Sequence, residues 1–182
     1  MTKVDRRIRK SQEAIKAAVI ELMSEKNFDD ITLQDISDKA DVSRGTIYLH
    51  YVDKYDLLDK LIDGHIKELS EICHSVADLD WKQSIVPWFT YLEQNYLFFS
   101  TMMASKGAAQ FRNRLVEFLN EDFKEEVNLS QARKSGLSED IILQYVVMSY
   151  VGVVEWWIKN EMPHPPEVMS EQLGELIKMN LG

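Results

Sequence analysis

Hydrophobic positions in this chain recur at spacings of three, four and seven residues almost throughout, a period that predicts helices and leaves no strand-like alternation. A first helix is expected from Asp5 to Lys26, with Ile8, Ile15, Ala18, Val19 and Leu22 on one face; Phe28 and Ile31 then close a small core. From Ile31 to Leu58 the pattern breaks into short pieces. Thr32 is a good N-cap with Asp35 three residues on, so a helix should open at Leu33 and end near Ala40. Asp41 and Val42 make a turn, and Ser43 offers a second cap for a helix carrying Arg44 to His50. Ile36, Ala40, Val42 and Ile47 would lock the two pieces together, leaving Arg44, Thr46, Tyr48 and His50 to face outward.

Asp53 should cap a long amphipathic helix bearing Leu57, Leu58, Leu61, Ile62, Ile66, Leu69, Ile72 and Val76 and reaching about Ala77. An aromatic-rich helix follows from Trp81 to Met103, with a kink or break expected at Pro87. Gly107 separates it from a helix with Phe111, Leu115, Phe118, Leu119 and Phe123, and a polar stretch around Asn128 to Gly136 reads as the loosest connection. Ser138 caps a segment apolar nearly all round from Ile141 to Ile158, and after MPHPP a last helix carries Val168, Met169, Leu173, Leu176, Ile177 and Leu181. The fold class is therefore all-α: a compact N-terminal three-helix unit over residues 1–58, joined by the long helix to a second helical unit over residues 59–182.

At 45% hydrophobic over 182 residues the chain can build a sizeable core, and seven glycines and four prolines leave long uninterrupted segments. The basic start MTKVDRRIRKSQ leads into an amphipathic helix, so a secretory signal is not indicated. The stretch from Ile141 to Ile158 is interrupted by Gln144, Ser149, Gly152 and Glu155, which favours a helix buried in protein over a membrane span. Cys73 is the single cysteine, so no intramolecular disulfide forms and a reducing, cytoplasmic setting fits. The net charge of -9 argues at first against a nucleic-acid partner, but it is unevenly spread. Residues 1–58 hold ten Lys/Arg against eleven Asp/Glu, and within residues 1–16 six basic residues face two acidic ones. Arg6, Arg7, Arg9 and Lys10 could then reach a phosphate backbone or minor groove, although an ordinary solvated helix start has the same composition.

Two short capped helices joined by a tight turn have the spacing of a helix-turn-helix DNA reader. The run VSRGTIYLHYVDKYDLL, with Ser11 to Phe28 upstream, resembles the recognition segment and first helix of the TetR/AcrR family of bacterial transcriptional regulators. Asn27 and Asp41 stand where that family commonly has glycine; both tolerate a left-handed backbone, which is the expected conformation at the two sites. Candidate DNA-binding residues are Thr32, Gln34, Ser43, Arg44, Gly45, Thr46, Tyr48, His50 and Lys54. Arg44 can donate two hydrogen bonds to a guanine edge, and Gly45 permits close approach of the backbone. Thr46 offers its hydroxyl to a phosphate or its methyl to thymine, Tyr48 and His50 can donate to phosphate, and Gln34 could read adenine. Lys54, beside the first amides of the long helix, can pair with a phosphate. The resemblance further implies that Tyr51 packs beneath the recognition helix.

The C-terminal half is similar to that of a subset of TetR-like regulators, in which a tryptophan-containing helix precedes a proline-rich turn and a final helix. Two such helices from each of two chains would form a four-helix, twofold interface, for which Tyr145, Met148, Gly152, Trp156, Leu173 and Ile177 are the candidates. The alternative is a monomer with that helix fully internal. Trp88, Tyr91, Tyr96, Phe99 and Met103 could line an apolar effector cavity, and aromatics at helical spacing equally suit a plain core. The resemblance implies a homodimer on a pseudo-palindromic DNA operator, acting as a repressor under a small-molecule or protein effector. The rival is a coactivator that answers to a protein partner and has no cavity. No nucleophile–base pair, paired carboxylates, glycine-rich phosphate loop or metal cluster occurs at usable spacing, and His65, His74 and His164 are scattered. An enzyme, a metal site and a cofactor are not expected.

Overall fold

A computed structural model describes residues 3–75, 81–104, 108–126 and 138–181. Among them lie α1 (Lys3–Glu25), a 3-10 turn (Phe28–Asp30), α2 (Leu33–Lys39), α3 (Arg44–Tyr48), α4 (Lys54–Ser75) and α5 (Trp81–Gln94). They are followed by α6 (Tyr96–Ala104), α7 (Ala108–Glu126), α8 (Glu139–Lys159) and α9 (Pro166–Leu181), with no strand among the described residues. The expected end of the long helix at Ala77, the Gly107 separator and the polar stretch from Asn128 to Gly136 lie outside the described residues.

Local chemistry sets the short elements. Thr32 and Asp35 form a reciprocal capping box, in which the Asp35 amide donates to Thr32 Oγ1 (3.1 Å) and the Thr32 amide donates to Asp35 Oδ2 (2.8 Å). Lys26, just past the end of α1, donates to the same Asp35 carboxylate at 2.9 Å, and Lys39 reaches back to Glu21 and Glu25 of α1, so α2 is tied to that part of the chain near both its ends. Asp41 has φ 51, the left-handed turn expected of it. Asn27 does not share that conformation: at φ -59 and ψ 141 it is extended, because it leads into the 3-10 turn instead of closing a helix with a left-handed residue. Buried Ser37 donates its hydroxyl to the carbonyl of Val42 at 2.6 Å and fixes the turn between α2 and α3. Helix α3 is shorter than its pattern implied, ending at Tyr48 with Leu49 as its C-cap.

Two further expectations change. Helix α5 runs through Pro87, and the break falls at Asn95, whose side-chain amide donates to the carbonyl of Tyr91 at 2.8 Å while its own carbonyl accepts from the amide of Phe99. Ile8 is 42% exposed and stands outside the apolar face that Ile15, Ala18, Val19 and Leu22 do bury.

One continuous core runs from Ile15 of α1 through Ile62 and Leu69 of α4 to Met169 and Leu173 of α9. Helix α1 packs on α2 and α4 and also on α6, while α9 lies along α5 and α7 along α8. At the end of α8 the chain reverses: Glu161 and Met162 have positive φ, the Met162 amide donates to the carbonyl of Trp157, and the Trp157 indole donates to the carbonyl of His164 at 2.8 Å. Helix α8 is long and apolar enough to cross a membrane by length and composition, with a mean hydropathy of 1.5, yet half of that window is buried inside the protein. Its inward residues include Val147, Val151 and Trp157, and its outward ones include Ile141, Tyr145, Met148 and Trp156.

Candidate nucleic-acid interface

Helix α3 is carried on the surface by a cap and one anchor. The Ser43 hydroxyl accepts from the Thr46 amide (3.1 Å) and lies 2.9 Å from Thr46 Oγ1, while Ile47 is fully buried beneath. That anchoring turns Arg44 and Gly45 to solvent and leaves Tyr48 59% exposed. A side chain added at Gly45 would meet only Ser43 Oγ at 3.6 Å, so glycine there keeps the outer surface low for a close neighbour; the helix itself could accommodate a Cβ. Beside the turn, a groove of about 410 Å³ is lined by Arg6, Arg7, Lys10, Ser11, Ala14 and Val42. The basic start of α1 thus adjoins the turn that leads into α3 at Val42. Its exposed cations suit phosphates, and the exposed Arg44 at the head of α3 suits a base edge.

Several sequence-predicted residues have other duties. Lys54 Nζ donates to three backbone carbonyls, Phe28 (2.9 Å), Asp29 (2.7 Å) and Ile31 (2.8 Å), and sits about 5 Å from the ring centroids of Phe28 and Tyr55. An ammonium has three N–H donors, so all three are engaged here; Lys54 clamps α4 to the turn before α2, and the phosphate contact expected of it would require releasing a carbonyl. The hydroxyls of Thr32 and Thr46 are held in the two caps, and the Gln34 amide donates to Asp38 at 2.6 Å, leaving its carbonyl oxygen at an exposed position. His50 is half-buried, has its Nδ1 3.4 Å from the Gln12 amide, and follows the end of α3. The Lys26 ammonium together with the Thr32 cap holds the Asp35 carboxyl down at about 2.

The surface also brings forward residues that sequence reasoning passed over. Leu49 and Val52 are each 78% exposed and Tyr55 54%, clustered after α3. Their signal was the missing period: once α3 ends at Tyr48, an apolar residue at 49 or 52 has no helical face to join. Tyr51, by contrast, is buried as expected.

Farther along α4, His65 is enclosed by α5 and α6. Its ring stacks on Phe98 at 3.7 Å between centroids, and its Nδ1 lies 2.7 Å from the Tyr91 hydroxyl. Burial, reinforced by the Lys16 charge, pushes the imidazole down to about 4, and burial together with Glu68 pushes the Tyr91 phenol up to about 12. Both are neutral near pH 7. Trp88 and Phe99 are buried in the same aromatic core, where the Trp88 indole N–H has no acceptor among the described residues, and Tyr96 is half-buried. Met103 alone of the five cavity candidates lines the opening of about 280 Å³ between α6, α7 and α8.

On α8, Tyr145 (55% exposed), Met148 (40%) and Trp156 (47%) form one outward stripe with Gly152, which has open space where a Cβ would be. Leu173 is 3% exposed and belongs to the core, because α9 turns that face onto α5; the exposed apolar residue of α9 is Leu176. The side chain of Ile177 lies outside the described residues. No group of three or more His, Cys, Asp or Glu is placed to hold a metal ion among the described residues.

Residues 15–61 match the bacterial regulatory proteins of the tetR family, and residues 80–179 match a transcriptional regulator C-terminal region of TetR type. A Bacillus subtilis HTH-type transcriptional regulator, YxbF, is 25% identical over 176 residues; the match covers 92% of this chain and 44% of that protein, so the chain spans less than half the relative's length. A TetR transcriptional regulator from Streptococcus agalactiae superposes with a TM-score of 0.70 at 25% identity, covering 95% of this chain and 96% of the other. The dihydroxyacetone kinase operon activator DhaS has the same fold, with a TM-score of 0.65 at 18% identity over 94% and 96% of the two chains. With an N-terminal helix-turn-helix model and a C-terminal model spanning more than half its length, the chain belongs to the TetR family of transcriptional regulators, DNA-binding proteins and not enzymes.

Proposed function

We propose that two copies of this chain bind a pseudo-palindromic operator in the cytoplasm, setting their α3 helices in successive major grooves about 34–36 Å apart. The observation that carries this reading is the exposure of Arg44, Gly45 and Tyr48 on a capped α3 held down by buried Ile47, following a turn whose Val42 lines the basic groove of Arg6, Arg7 and Lys10. Arg44 supplies base readout; Tyr48 and the α1 cations supply phosphate contacts. The second copy is favoured by the α8 stripe, in which the large apolar side chains of Tyr145, Met148 and Trp156 are exposed around Gly152. A residue as small as Gly152 at its middle permits close approach of a partner helix. Repression follows if an effector in the C-terminal half shifts α4 and so changes the separation of the two α3 helices.

A second reading, activation in concert with a protein partner, is favoured by the packing of Trp88 and Phe99 as core and by the likeness in fold to DhaS, an operon activator. Melting separates the two: small molecules raise the melting temperature of an effector-controlled repressor, and only a protein partner does so for a coactivator. The operator itself is tested by selecting bound sequences from random duplex DNA with the purified chain. An inverted repeat is the expected product; recovery of no preferred duplex would overturn the proposal.

A further inference from the structure

We propose that the opening between α6, α7 and α8 binds a small amphiphilic carboxylate, and that its occupancy is relayed through α7 to the first turns of α4. The proposal rests on the reading of the chain as an effector-controlled DNA-binding regulator and names the ligand class and the route.

The cavity, about 280 Å³, is at the small end of ligand pockets, which admits a compact molecule only. Its walls are Met103 of α6, Ala109, Phe111, Arg112 and Leu115 from the start of α7, and Glu155 and Lys159 from the end of α8. Phe111 and Leu115 are core side chains, 1% and 2% exposed, so the floor is closed by apolar packing. The rim holds two cations and one carboxylate, an excess of one positive charge. Arg112 Nε donates to Glu155 Oε1 at 2.8 Å, and among the described residues Arg112 Nη2 has only the weakly accepting Met148 sulfur, 3.9 Å away. Glu155 therefore orients the guanidinium while the terminal N–H groups of Arg112 keep capacity for a stronger acceptor. Lys159 is exposed and joins no ion pair among the described residues. A monoanionic head with a short apolar body satisfies both surfaces. A phosphate dianion would exceed the available charge and press against Glu155, and an amine would meet two like charges.

The same two turns of α7 grip α4. Gln110 donates to Asp59, and Arg114 pairs with Asp63 and Asp59. Positions 110 and 114 lie on the opposite side of the helix from Arg112, and Asp59 and Asp63 are also four residues apart, so the contact is one helical face against another. A ligand that engages the free end of the Arg112 guanidinium pulls on the turn of α7 whose opposite side is bonded to Asp59 and Asp63, and so biases the position of α4. Those residues lie one and two turns beyond Lys54, the clamp on the DNA-binding end.

The test uses the full chain and a panel of straight-chain carboxylates from acetate to decanoate with benzoate, against octan-1-ol and octylamine as uncharged and cationic counterparts. Calorimetric titration is expected to show saturable binding of at least one carboxylate, roughly tenfold tighter than the alcohol, with no binding of the amine. Arg112→Gln and Lys159→Gln should each weaken it by roughly tenfold. Because Arg112→Gln leaves Glu155 without its partner, the exposed Lys159→Gln variant guards against misfolding. Binding of none of the panel, equal binding of alcohol and acid, or unchanged affinity in the Lys159→Gln variant would each overturn the site. The relay is read separately, by titrating the selected duplex with and without saturating carboxylate: wild type should change affinity, and a Gln110→Ala/Arg114→Ala double variant should bind the carboxylate but lose the change. A double variant that still responds overturns the relay and leaves the site standing. Failure of the chain to prefer any duplex sinks the regulator reading instead, because the calorimetry involves no DNA.

Discussion

Arg44 and Lys54, ten residues apart, illustrate why charge type alone does not assign a role. Both are cations in the recognition segment, yet Arg44 stands in solvent at the head of α3 and Lys54 spends its three donors on the carbonyls of Phe28, Asp29 and Ile31. Arg44→Ala is expected to weaken operator binding by about 1–3 kcal/mol and relax preference at one base pair, read by titration at fixed salt, with the melting temperature unchanged. Lys54→Met should do the reverse first. It strands three carbonyls and lowers unfolding free energy by about 1–3 kcal/mol in denaturant titration, and any loss of DNA affinity should come with that destabilisation. His65 provides a pH signature. Its folded value near 4 lies below the unfolded value near 6.5, so the folded state holds fewer protons between them; the stability it contributes is complete above 6.5 and drains away as pH falls toward 4. Wild type should therefore lose on the order of 2 kcal/mol more across that window than His65→Gln, measured by chemical denaturation at each pH.

At the scale of elements, the caps were the most legible features of the sequence. Thr32 with Asp35, and Ser43 with the Thr46 amide, are short-range devices whose outcome depends on residues three apart, and α2 and α3 open where those residues place them. Features decided by distant neighbours were not legible. The break between α5 and α6 falls at Asn95 and not at Pro87, since α5 continues through the proline while the Asn95 side chain bonds back to Tyr91. Leu173 and Trp156 both sit at helical spacing, and only the packing of α9 on α5 separates a core residue from a surface one. That separation can be measured. If α8 joins two copies as proposed, Trp156→Glu should leave a monomer in sedimentation with little change in helix content, whereas Leu173→Ala should cost about 2–5 kcal/mol of unfolding free energy because it opens a hole in the core.

At the scale of the whole molecule, the split into residues 1–58 and 59–182 describes the tasks better than the packing. Helix α1 rests on α6 as well as on its own neighbours, and one hydrophobic core passes from Ile15 to Leu173 without a seam. The charge follows the tasks: the cations of α1 gather at the groove beside Val42, while the acidic excess belongs to the remainder of the chain. Operator affinity should therefore fall steeply with salt despite the net charge of -9, since the local cations and not the total determine how many counterions are released. A seamless interior also limits how such a regulator can be rebuilt. Cutting after Leu58 would bare Leu61 and Ile62 on one fragment and leave Ile15 and Val19 without cover on the other, so a chimaera that exchanges only the reading head inherits two raw surfaces. A graft that folds has to take α4 and the matching side of α6 along with it.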